Sequence, residues 1–117
     1  MQAKQALDKR ADFRISVDLL LNKYVKGRPY LCRATNLSRS GLLVHRLFEP
    51  EHGETRVGLQ FQLPGCDRVI TCAGRIVFWD EQLGAHGVEF TSVAPEHQAL
   101  LDTFLLRSMD WPAALEA

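Results

Sequence analysis

Apolar side chains recur at every second position along most of this chain, and the period becomes helical only near its end. From Ile15 onward, Ile15, Val17, Leu19 and Leu21 alternate with Ser16, Asp18, Leu20 and Asn22, the pattern of a strand with one buried face. Lys26-Gly27-Arg28-Pro29 marks a turn. Residues 30–35 read as a second strand, Gly41 breaks it, and residues 42–48 read as a third. The clearest alternation follows the acidic loop at 49–54: Val57, Leu59, Phe61 and Leu63 inward, with Arg56, Gly58, Gln60 and Gln62 outward. Pro64-Gly65 turns the chain into a long strand over 68–79, in which Gly74 predicts a bend or bulge. After a loop at 80–85, residues 87–91 form the last strand, with Val88 and Phe90 inward.

The period then changes. Pro95 suits the first helical position, and Leu101, Phe104, Leu105 and Met109 form one apolar stripe on a helix over 95–109. Trp111-Pro112 is expected to end it. Six short strands and one helix imply an all-β-dominated fold, a six-stranded antiparallel barrel that removes exposed edges and is closed at one side by a C-terminal helix. The chain divides into a lead-in at 1–14, a barrel with its helix at 15–111, and a tail at 112–117.

Composition narrows the class. A length of 117 residues suits one domain with a modest core, and 46% hydrophobic with 24% charged residues is ordinary for a globular protein. Net charge is zero but unevenly spread. Residues 1–39 hold nine Lys/Arg against three Asp, leaving five basic and eleven acidic residues for the remainder. A neutral chain with one basic half points to a local anion site rather than a surface that coats nucleic-acid polymer. Cys32, Cys66 and Cys72 are odd in number and lack C-x-x-C spacing. They predict neither a disulfide framework nor a zinc site, and a reducing cytoplasm is the expected compartment. The amino terminus has no apolar run of signal-peptide length, and no stretch approaches a membrane span. His45, His52, His86 and His97 are scattered, with no metal spacing and no nucleophile motif. No catalytic residue and no metal are therefore expected, and the 49–54 acidic cluster reads as a solubilising loop.

One stretch carries recognisable chemistry. Asn36 and Ser38 sit two apart at the end of the second strand, which puts them on one face if the strand stays extended. Gly41 follows, suited to a positive φ or to close approach by a ligand. Upstream, Arg10 and Arg14 offer planar forks for phosphate or a base edge. With ten arginines in the chain, an Arg-x-x-x-Arg pair arises by chance about 0.8 times. The pattern [Asn/Asp]-x-Ser-x-x-Gly is expected only about 0.03 times, which makes it the more specific signal.

In this order, the two motifs resemble those of the PilZ domain, a family of small β-barrel receptors for the bacterial messenger cyclic di-GMP. The resemblance extends over most of the chain, since the strand and helix pattern also fits. It implies that Arg10 and Arg14 contact guanine and phosphate. It further implies that Asn36 and Ser38 bond a guanine and its attached ring, and that Gly41 admits close backbone approach. Asn36 stands where the family most often has Asp; a carboxylate accepts two hydrogen bonds from a guanine N1–H/N2–H edge, whereas an amide offers one acceptor and one donor. Lys9, Arg39 and Trp79 are secondary candidates, with Trp79 more naturally read as core or rim packing. The resemblance implies a receptor that changes conformation with ligand and acts in trans on an unidentified effector protein. The alternative is a protein-interaction adaptor of the same fold that does not bind nucleotide.

Overall fold

The computed structural model describes residues 13–50 and 52–116, of which 109–116 are described by backbone alone. In chain order these form β1 (Ile15–Val25), β2 (Arg28–Leu37), β3 (Gly41–Arg46), β4 (Arg56–Gln62), β5 (Val69–Asp80), β6 (Ala85–Val93) and α1 (Pro95–Glu116). The strands pair antiparallel and close into a barrel in the order β1-β2-β3-β6-β5-β4. Closure leaves no free edge. The expected six-stranded antiparallel barrel with a C-terminal helix is the fold observed.

Alternation places the core. Leu19, Leu21, Val57, Leu59 and Phe61 are buried as their spacing requires, joined by Val44, Ile70, Ile76 and Val88. Leu101 and Leu105 bring the apolar stripe of α1 onto this core, with Leu100 and Phe104 packed beside them. Burying each such side chain contributes about 1.5–3 kcal/mol. Gly74 sits at a register shift between β5 and β6, the expected bulge. The helix does not stop at Trp111-Pro112; it runs to Glu116, so residues 112–116 belong to the helix rather than to a separate tail. Pro112 removes one i to i−4 hydrogen bond, that to Ser108. Ala113, Ala114, Leu115 and Glu116, good helix formers, continue the spiral beyond that local loss.

Inward alternation in β1 includes one charged residue between Leu21 and Val25. Lys23 follows Leu21 on the inner face and is fully buried. Its ammonium meets the Glu49 carboxylate at 2.8 Å, with both side chains inaccessible, and lies 2.9 Å from His86 Nε2. Glu49 also accepts from the Cys32 thiol at 3.3 Å and pairs with His52 Nε2 at 2.9 Å. The acidic loop after β3 is therefore no mere solubiliser. Its Glu49 plugs the barrel end opposite α1, because a buried ammonium requires an equally buried counter-charge. Burial alone would raise the Glu49 carboxyl, but the Lys23 hydrogen bond and charge, with help from Cys32 and His52, hold it below its ordinary value. Burial, reinforced by Lys23, lowers His86 to about 4. Burial pushes the Cys32 thiol up to about 12, which leaves it inert.

At the other end of the barrel, the backbone of β6 leaves no room for a side chain at Gly41. A Cβ there would lie 2.1 Å from the Val88 carbonyl oxygen. The positive-φ glycines are Gly27, Gly65 and Gly84, so Gly41 is required by contact and not by its dihedral angle.

Two outcomes follow from these contacts. Gly41→Ala is expected to lower stability by at least about 2 kcal/mol, because the clash is with backbone that cannot rotate away; urea unfolding measures it. The second outcome concerns acid. His86 binds its proton less readily folded than unfolded, so its contribution is complete above about pH 6.5 and is lost as pH falls toward 4. Glu49, also lowered, adds a loss of the same sign once pH drops through the carboxylate range. The urea midpoint is expected to fall between pH 7 and pH 4 by the equivalent of about 3 kcal/mol from His86. His86→Gln is expected to flatten that part of the profile while leaving the steeper loss at lower pH.

Candidate functional site

The turn joining β2 to β3 is built by Ser38. Its backbone N–H donates to the Gly41 carbonyl at 2.8 Å, and its Oγ accepts from the N–H groups of Ser40 and Gly41, each at 3.2 Å. The same Oγ lies 3.1 Å from Ser40 Oγ and 3.3 Å from the Gly41 carbonyl oxygen. The Phe90 N–H then donates to the Ser40 carbonyl at 2.7 Å, fastening the turn to β6. Arg39 points along the surface and donates to Asp102 of α1 at 2.9 Å. The turn is thereby held on both sides, by β6 and by the helix.

Asn36 and Ser38 do not share a face in this arrangement. Strand β2 ends at Leu37, and the turn folds the Ser38 hydroxyl inward until it is fully buried. Asn36 remains half-buried on the outer surface. A register shift between Ala34 and Asn36 in the β2–β3 ladder, and another between Ser16 and Leu19 in β1–β2, bracket this position. Bulges of this kind re-aim side chains.

Across the outer face of the barrel runs a cleft of about 480 Å³ lined by Asn36 and Ser40 beside the turn, Gly41 and Leu43 of β3, Phe78 of β5 and Glu89 of β6. Arg14, just ahead of β1, also lines it and donates from Nη1 to Asn36 Oδ1 at 2.9 Å. Two residues separated by 22 positions in sequence are thus joined at the cleft mouth. Arg10 and Lys9 lie outside the described residues. Of the expected site residues, Arg14, Asn36 and Gly41 line the cleft; Ser38 lies beneath it, with its hydrogen-bonding capacity spent on the turn.

Sequence reasoning missed Phe78. Its ring lies directly over Gly87, where a Cβ would fall 2.1 Å from the ring edge, and it is about half exposed within the cleft. An exposed aromatic face beside an arginine fork is stacking equipment for a base. The signal was present as an aromatic residue opposite a glycine, but the pairing of Phe78 with Gly87 depends on register. Trp79, the neighbouring candidate, faces elsewhere. It packs on His86 at 4.7 Å between ring centroids and carries the Arg46 guanidinium 5.3 Å over its ring. It therefore belongs to the plugged end of the barrel, as the packing reading of this residue expects. Among the described residues, no group of three or more His, Cys, Asp or Glu side chains forms a metal site, and no helix is long and apolar enough to cross a membrane.

Comparison with solved structures finds the same architecture. The chain superposes on the Bacillus subtilis inhibitor of motility, MotI/DgrA, with a TM-score of 0.65 at 19% identity, over 83% of this chain and 50% of that one. Against the PilZ domain of CeSA from a cellulose-synthesizing bacterium, the TM-score is 0.60 at 15% identity, over 91% and 100% of the two chains. Against the structure titled PilZ domain with c-di-GMP of YcgR from Escherichia coli, it is 0.62 at 17% identity, over 87% and 95%. None of the curated proteins matches this chain. At these identities the likeness establishes the fold, and the family rests on sequence: the PilZ domain model matches residues 8–107, most of the chain, so this protein belongs to the PilZ domain family.

Proposed function

We propose that this protein is a cyclic di-GMP receptor and not an enzyme, and that the cleft beside the β2–β3 turn is where the nucleotide binds. The observation that carries the reading is the Arg14–Asn36 hydrogen bond at the cleft mouth. It joins the two motif halves that sequence could only list in order. Cyclic di-GMP presents two phosphodiester charges and two guanines, and an arginine fork can grip phosphate or meet a guanine edge. Arg14 supplies that fork, with Arg10 as its partner from the lead-in. Asn36 offers a polar contact on the floor, Phe78 a stacking face, and Gly41 leaves the floor low. Ser38 acts as a positioning residue by fixing the turn that presents them.

PilZ domains are binding and adaptor domains, and this one would act in the cytoplasm on an effector protein, with a ligand-dependent change of conformation creating the surface the effector reads. Isothermal titration with cyclic di-GMP is expected to show saturable heat. Arg14→Ala is expected to weaken binding about tenfold or more while leaving the thermal transition in place. A folded protein that gives no heat at tens of micromolar nucleotide would overturn the reading in favour of a nucleotide-independent adaptor.

A further inference from the structure

We infer that Glu89 reads the Watson–Crick edge of a guanine in this cleft, supplying the carboxylate that Asn36 lacks; this rests on the receptor reading above. Asn36 has one amide oxygen with two lone pairs, and the Arg14 guanidinium takes one of them at 2.9 Å. What Asn36 has left is one lone pair beside its amide N–H₂, which suits guanine O6 or N7 better than the N1–H/N2–H pair. Those two donors require an acceptor with two oxygens in reach. Among the described cleft-lining residues, Glu89 is the sole carboxylate.

Its position fits the task. Glu89 pairs with Gly41 across the β3–β6 ladder, directly beside the turn. Its side chain is about half exposed, and its contact with Arg75 is at 4.0 Å, too long to hold it in one geometry. Asn36 on β2 pairs with Leu43, and Leu43 with Gly87 two residues before Glu89. Asn36 and Glu89 are therefore two strand spacings apart across the sheet and two residues apart along it, ~12 Å. Once both side chains reach toward each other over the outer face, that span suits a single purine, with the Phe78 ring over Gly87 alongside. Donor at one end and double acceptor at the other match guanine's own order of acceptors and donors. Adenine presents a lone pair at N1 where guanine presents a donor, so the same carboxylate repels it.

The charge makes the test decisive in sign. A carboxylate near a dianionic ligand weakens binding unless it meets N–H donors, so neutralising it must move affinity in opposite directions under the two accounts. Titration of cyclic di-GMP and its inosine analogue, which lacks the N2 amine, into the unaltered protein, Glu89→Gln and Arg75→Gln separates them. Glu89→Gln is expected to lose about tenfold or more in affinity for cyclic di-GMP and to lose most of the preference over the inosine analogue. Arg75→Gln, which leaves the carboxylate free, is expected to keep both. Unchanged or tighter binding by Glu89→Gln, or equal losses in the two variants, overturns the assignment while leaving the receptor reading intact. Absence of heat from the unaltered protein overturns both.

Discussion

The approach of β3 to β6 at Gly41 is the contact on which the cleft depends. The Val88 carbonyl oxygen occupies the place where any side chain at position 41 would begin. That contact brings the β2–β3 turn against β6 so that the Phe90 N–H reaches the Ser40 carbonyl. From it comes the low floor between Asn36 and Glu89. A wider spacing would lose both the ladder and the shape of the surface at once, since the ladder bonds tolerate only a narrow range of strand separation. The glycine that resembles a ligand-approach position is, in this fold, first a strand-approach position.

The opposite end of the barrel is held by a different kind of force. Lys23 is carried inward by the period of β1, and an unpaired ammonium there would be severely destabilising. Glu49 answers it, and in doing so draws the loop after β3 down over the opening. Such a pair contributes less to net stability than to uniqueness, because few other loop conformations place a carboxylate within reach of a buried cation. His86 and Trp79 connect this plug to the cleft by direct adjacency. They are cross-strand partners, and the next rung of the same ladder is Phe78 opposite Gly87. The cleft lining on one rung and the charged plug on the next share a single stretch of β5 and β6.

Ser38 and Asn36 illustrate how a motif can be divided between construction and contact. Both are polar, both lie in the same six residues, and sequence spacing groups them on one face. The structure spends the hydroxyl on four turn contacts and leaves the amide at the surface. Ser38 is then explained without a ligand, as the residue whose short side chain can cap two backbone N–H groups in so tight a turn.

The alternation of apolar residues determined the six strands, their inner faces and the closing helix by itself, because burial on one face imposes a period that local sequence displays directly. The order of the two motifs, with the low chance frequency of the second, was likewise enough to indicate the family. Pairing between distant strands was not encoded locally. That Arg14 reaches Asn36, that Phe78 lies over Gly87, that Glu89 stands opposite Gly41, and that Lys23 requires Glu49 are all consequences of register around a closed sheet. Register arises from the fit of all six strands together, so these contacts between residues far apart in the chain were decided by the tertiary structure alone.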